Sequence, residues 1–372
     1  MIIDPPIPAR TLKPLTGGIH HPECYLWDAW SCDLGDAIYL FTLAVNRKSA
    51  NGDYAPPSCR ASSRFHIRQF VSNDGGITWE DLGAFQTAGT TGDGHDARNI
   101  WSGSVLSRDG DQALWAAYTA IHEVDDTHPF VQCLAVGRGT AGETFEVGSG
   151  QVLLCPVTDR ERIESAGYFI DRTAGVGNVR GEAGGPIIAW RDPFLFRDFD
   201  GLLHMAWAAK REGGEPAMGL ATLREEDGRL VVANLFPPVA LPDVAEFTQF
   251  EIPKIYLDPA NSRYILVAAT TDRRSETQDG SDINAAVRIY HAHSCTGPWL
   301  TGGTDSSVLA EAENYFGMTV LRANADDELF VAVAPLTDQA GAVDALTVSP
   351  RFSIDLAAIG NVNRLTAGSI RE

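Results

Sequence analysis

Short apolar runs of four to nine residues, rich in Val, Ile, Phe, Tyr and Trp and separated by Gly, Asp, Asn and Pro, recur along the whole chain. Runs of that length and composition read as β-strands, and the three- and four-residue apolar spacing of long helices is almost absent. AIYLFTLAV (37–45), RFHIRQFVS (64–72), IWSGSVLS (100–107), ALWAAYTA (113–120) and FVQCLAVGR (130–138) open the series. DPFLFRD (192–198), LLHMAWAAK (202–210), AMGLATL (217–223), IPKIYLD (252–258), YILVAATT (264–271) and AAVRIYHAH (285–293) follow. FGMTVLRA (316–323), LFVAVAP (329–335) and ALTVSPRFSIDLAA (345–358) close it. Turn-forming clusters such as RDGDQ (108–112), RDFDG (197–201), DPANS (258–262) and ANADDE (323–328) join neighbours into meanders. Grouped by spacing, the strands fall into about five packets of roughly 60 to 90 residues, each sufficient for one four-stranded sheet. That arithmetic predicts an all-β, five-bladed β-propeller, with residues 1–372 as a single domain; a pair of long β-sandwiches is the competing architecture.

Residues 72–79, SNDGGITW, form one Ser-x-Asp-x-Gly-x-Thr-Trp turn, an Asp box, in which polar side chains tie off a hairpin above a packed Trp. Such a turn supports a propeller without naming a reaction.

Composition narrows the partners. With 44% hydrophobic and 21% charged residues the chain is ordinary globular material. Its formal charge of -20 repels phosphate backbones and anionic headgroups, so the expected partner is a small neutral molecule, with neither nucleic acid nor membrane. No apolar stretch approaches the roughly 18 residues needed to span a bilayer, and the N-terminal MIIDPPIPARTLKPLTGG lacks a signal-peptide pattern, so a cytoplasmic location is expected, a processed secreted form having the same appearance. The six cysteines (Cys24, Cys32, Cys59, Cys133, Cys155 and Cys295) show no framework spacing and read as free thiols.

Three carboxylates stand at the starts of three packets: Asp28 between Trp27 and Trp30, Asp192 in AWRDPFLF (189–196) and Glu251 in FTQFEIPKIY (247–256). The first strand of every propeller blade lines the central channel, so acids at equivalent strand starts converge on one funnel although far apart in sequence. Such a constellation suits glycoside chemistry, where two carboxyls about 5–5.5 Å apart favour retention and about 6.5–9.5 Å apart leave room for a water and inversion. Each acid also has a plainer explanation, as a strand-capping Asp28, a turn Asp192 before Pro193, and a surface Glu251.

In order along the chain, these segments resemble glycoside hydrolase family 68, the levansucrases, inulosucrases and bacterial β-fructofuranosidases, related to the family 32 invertases. Leu26-Trp27-Asp28-Ala29-Trp30 is similar to the family's nucleophile segment, Trp101-Ser102-Gly103-Ser104 to its Trp-Ser-Gly-Ser segment, Arg191-Asp192-Pro193 to its Arg-Asp-Pro motif and Asn314-Tyr315-Phe316 to an aromatic segment that closes the sugar pocket. The resemblance implies a five-bladed propeller acting on β-fructofuranosides such as sucrose through a covalent fructosyl-enzyme intermediate. Asp28 would be the nucleophile, Asp192 the transition-state stabiliser and Glu251 the general acid/base. Trp27, Trp101, Ser102, Arg191, Gln249, Arg273 (or its neighbour Arg274) and Tyr315 would bind substrate. No cofactor or catalytic metal is implied, although some family members hold a structural calcium ion. The chain departs from the pattern on the leaving-group side: Ile252-Pro253 follows Glu251 where Arg is usual, and Gln249 stands where an acid is common. Hydrolysis and transfer therefore both stay open, as do another furanosidase of this superfamily, acting on an arabinofuranoside or unusual fructoside, and a non-catalytic sugar-binding propeller.

The remaining polar clusters read as structural. His291 and His293 share a strand face without an evident third metal ligand, and His20-His21 and His95-Asp96 read as loop residues. RGEAGG (180–185) lacks the strand–turn–helix setting of a phosphate loop, and neither HExxH nor a nucleophile elbow occurs.

Overall fold

The computed structural model describes residues 6–11, 13–49, 51–53, 63–91, 94–128, 130–171, 187, 189–275, 278, 282–303, 307–310, 315–324, 329–336, 346–355, 359 and 365–366. Cys59, RGEAGG and Asn314 lie outside them.

Five antiparallel meanders form the blades. The first runs through Cys24–Asp33, Ile38–Asn46, His66–Ser72 and Thr78–Thr87, with Leu15–Thr16 added at the outer edge. The second comprises Asn99–Ser107, Ala113–His122, Val131–Thr140 and Gln151–Leu154; the third, Arg191–Arg197, Leu203–Arg211, Glu215–Glu226 and Arg229–Leu235. Gln249–Asp258, Arg263–Thr271, Ala285–Ala292 and Leu300–Thr301 make the fourth, and Thr319–Asn324, Leu329–Val333 and Phe352–Asp355 the fifth. The first strand of each meander is its inner edge, and inner strands pack together from the first blade to the second, second to third, third to fourth, and fifth to first. The molecule is a five-bladed β-propeller, as the packets predict.

Packing explains the continuous apolar runs. A blade is covered on both faces by its neighbours, so the polar alternation of a one-sided sheet disappears; every residue of Ile38–Val45 is buried. One hydrophobic cluster fills each seam between blades. Trp115 and Leu134 meet Trp190 and Trp207 between the second and third, for example, and Ile265 and Ile289 meet Phe330 and Phe352 between the fourth and fifth.

The first blade is tied to both ends of the described chain. Buried Asp81 accepts from Arg68 (2.7 and 2.8 Å), from His21 (3.2 Å) and from the Thr11 N–H (2.6 Å), while Arg68 also holds the carbonyls of Pro8 and Ala9. On the other side Ile19 pairs with Val348 through two backbone bonds, and the Leu26 N–H donates to the Leu346 carbonyl. The Asp box folds as expected: Asp74 accepts from Ser72, Ile77 and Thr78 above a buried Trp79.

The plainer assignments hold for most of the other polar clusters. His95 bonds the Tyr118 hydroxyl, His293 lies 3.0 Å from the Ser262 carbonyl, and the five described cysteines are free and buried. His21 lies in a loop as read but is fully buried, as are His95 and Asp96; Asp81 and the N–H groups of Glu23 and Cys24 satisfy both His21 ring nitrogens. Among the described residues no group of three or more His, Cys, Asp or Glu could hold a metal ion, and no helix is long and apolar enough to cross a membrane.

Candidate active site

All five inner strands share one irregularity near their starts. The register slips between Leu26 and Ala29, Trp101 and Gly103, Arg191 and Phe194, Glu251 and Lys254, and Val320 and Arg322. A bulge of this kind frees a residue from the ladder and re-aims its side chain. Here the freed or flanking residues are Asp28, Ser102, Asp192, Glu251 and Leu321. Asp28 thus lies within the inner strand Cys24–Asp33, not ahead of the first strand as the apolar pattern suggests; the charge interrupts that pattern because the bulge takes it out of the pleat. Pro193 and Pro253 occupy two of these bulges, positions at which a strand tolerates a residue without an N–H. Asp192 and Ile252 adopt φ of 60° and 51°. For β-branched Ile252 that conformation is strained by about 1–3 kcal/mol.

Bulges leave backbone groups unpaired, and side chains from adjoining strands satisfy them. Ser31 donates to the Val320 carbonyl at 2.6 Å. Ser104 donates to the Pro193 carbonyl (3.0 Å) and accepts from the Leu195 N–H (2.8 Å). One Asp192 oxygen accepts the Ile252 N–H at 3.0 Å, and the Asp192 N–H donates to Thr119 Oγ1 at 2.9 Å. Blade-to-blade clamps therefore fix the same backbone that carries the acids.

The three predicted acids meet. Ser102 Oγ donates to Asp28 Oδ2, linking the second blade to the first. Arg191 lies 3.8 Å from Asp192 Oδ2 and 3.3 Å from Glu251 Oε2, tying the third blade to the fourth. Thr271 Oγ1 donates to Glu251 Oε1 at 3.4 Å. Gly317, at φ +79°, closes the ring from the fifth blade: a Cβ there would lie 3.3 Å from Asp28 Oδ1 and 3.4 Å from Ile252 Cδ1. Gly103 is equally constrained, since a Cβ would sit 2.0 Å from the Ala117 carbonyl oxygen and displace the strand behind Ser102.

Of the predicted binding residues, Ser102 and Arg191 contact the acids directly. Trp27 is buried edge-on against Phe65, and Trp101 is half-buried against Phe130; they directly precede Asp28 and Ser102 in the chain. Buried Gln249 donates to the Arg273 carbonyl at 3.0 Å, and Thr248 Oγ1 donates to the same carbonyl; Arg274 is exposed. Tyr315 stacks on Phe352, two residues before Gly317. Sequence reasoning missed Thr119, Thr271, Gly317 and Lys254, whose Nζ donates to the carbonyls of Gly317 and Met318 at 2.7 and 2.6 Å.

Burial pushes the Asp192 carboxyl up to about 7, with Arg191 opposing and the charges of Asp28 and Glu251 adding to the rise. A carboxyl raised on folding contributes stability that is fully present below about pH 4 and is lost as pH rises through about 7. Asp192→Asn is therefore expected to gain stability over the parent across that window, by at most about 4 kcal/mol. Thermal unfolding of both proteins from pH 4 to 8 checks it: the difference must grow with pH, and a constant difference refutes the assignment.

No protein-family model matches the chain, and no curated protein matches it in sequence. Solved structures do. A levansucrase variant complexed with sucrose is 14% identical, with a TM-score of 0.60 over 94% of this chain and 90% of that one. A Bacillus megaterium levansucrase variant gives 14% and 0.61 over 94% and 85%, and a Bacillus subtilis levansucrase variant in complex with oligosaccharides gives 15% and 0.60 over 94% and 90%. Across nearly its whole length, the chain is similar in structure to levansucrases and shares their five-bladed propeller fold.

Proposed function

We propose that the protein is a retaining glycoside hydrolase or fructosyltransferase acting on β-fructofuranosides such as sucrose. The observation that carries this reading is the meeting of three acids from three blades, with Ser102 on Asp28 and Arg191 between Asp192 and Glu251. An Asp28 oxygen attacks C2 of the fructosyl unit while the bond from C2 to the leaving oxygen breaks, and Glu251 passes its proton to that oxygen. A carboxylate ester to Asp28 results. Glu251, now ionised, takes a proton from water or a sugar hydroxyl, whose oxygen attacks C2 and releases Asp28. Asp192 holds furanose hydroxyls, and its charge opposes the positive charge that develops at the ring. The buried indoles exclude water from the pocket wall.

The test is product analysis after incubation with concentrated sucrose. Glucose with free fructose marks a hydrolase, and glucose with fructosyl chains a transferase. Sucrose left intact, together with other β-fructosides, overturns the reading. Arabinofuranosides belong in the same panel because Gln249 and Ile252 alter the leaving-group side.

A further inference from the structure

The chain has four lysines, at positions 13, 48, 210 and 254, and one of them is enclosed beneath the acids. Lys254 is 1% exposed. It follows the fourth blade's bulge, and its ammonium group spans to the fifth blade, where Gly317 and Met318 supply carbonyl acceptors at 2.7 and 2.6 Å. Tyr256, two residues further on the same strand, makes a parallel link: its hydroxyl accepts the Val320 N–H at 3.0 Å. A lysine used only as a latch is a costly choice in a sealed interior, since a neutral donor would reach the same carbonyls without desolvating a charge. The cost makes sense if the charge itself is used. We propose that Lys254 is a positioning residue for the reaction proposed above: its buried positive charge favours the ionised form of the Asp28 and Asp192 carboxylates, and its two hydrogen bonds set Gly317 against Asp28.

The electrostatics are reciprocal. Burial pushes Lys254 down to about 7, and the two groups that oppose this are Asp28 and Asp192. Whatever those carboxylates do to hold the proton on Lys254, Lys254 does equally to keep protons off them. The charged groups acting on Asp192 are Arg191, which favours its ionised form, and Asp28 and Glu251, which disfavour it. Burial is the largest influence on both partners, so removing the cation leaves Asp192 with Arg191 as its opposing charge among these groups. Short donor distances to two carbonyls fit the ammonium form.

Four lysines give a spectrum simple enough to decide this without turnover. With lysine labelled by 13C at Cε, one signal is expected to titrate far below the ordinary lysine range and to vanish in Lys254→Gln. In Asp28→Asn and in Asp192→Asn that signal's midpoint is expected to fall by about one pH unit or more. A midpoint unmoved in both variants overturns the proposal, even if all proteins fold and the wild type is active. The kinetic arm uses Lys254→Gln, whose amide keeps a donor toward the carbonyls but carries no charge. The acidic limb of its kcat/KM for sucrose should move up by about one pH unit or more, with activity recovering above the displaced limb. A uniform loss with an unmoved limb marks a purely structural lysine and overturns the charge role. If the wild type cleaves no fructoside, the functional reading fails, and the lysine titration still decides Lys254.

Discussion

Asp28→Asn is expected to lower kcat for sucrose by about 10⁴-fold or more while leaving the protein folded. The substitution keeps the side-chain volume, and the amide oxygen still accepts from Ser102 Oγ. It removes one of the charges that push Asp192 upward. What disappears is the proposed nucleophile: a neutral amide cannot form the ester. Activity within tenfold of the parent would remove Asp28 from the mechanism. The smaller Asp28→Gly variant supplies a second reading. Added azide should restore release of glucose by attacking C2 from the vacated side, giving a fructosyl azide of inverted configuration; an azide product of retained configuration would contradict the assignment.

The second large effect concerns Glu251 and depends on the substrate. Glu251→Gln should cost about 10²–10⁴-fold in kcat/KM for sucrose, whose leaving oxygen needs a proton. For a fructoside carrying an activated leaving group, such as 4-nitrophenol, ester formation needs no proton and the loss in that step should be small. The amide fits the same setting, facing Thr271 Oγ1 and Arg191, so the contrast between the two substrates isolates proton transfer from binding. Equal losses on both would recast Glu251 as a binding group.

The acids were legible in the sequence because each stands at the start of an apolar, strand-like packet, an expensive placement for a charge that serves no purpose. Asp28 sits among indoles, and Asp192 and Glu251 precede prolines within strand-like runs. The blades were legible because strands covered on both faces are apolar throughout. What the sequence conceals is the register. A bulge is a relation between two strands, and no single strand announces it; Pro193 and Pro253 are the nearest local signals. For the same reason Thr119 and Thr271 read as ordinary strand residues, because their partners lie on other elements. Gly317 looked like any turn glycine, since its closeness to Asp28 arises only when the fifth blade meets the first. Lys254 lay hidden in IPKIYLD, where a lysine reads as the solvent-facing member of an edge strand. Only burial on every side reveals it.

The pairing of Ile19 with Val348, and of Leu26 with Leu346, sets the order in which the candidate site can be assembled. During synthesis the segment bearing Asp28 leaves the ribosome more than three hundred residues before the strand that secures it. Until that strand arrives, the nascent chain exposes an unzipped apolar margin, a template for pairing with other molecules. Competence is therefore gained in one late step, and chains truncated before residue 346 should accumulate as inactive, self-associating material despite containing all three acids.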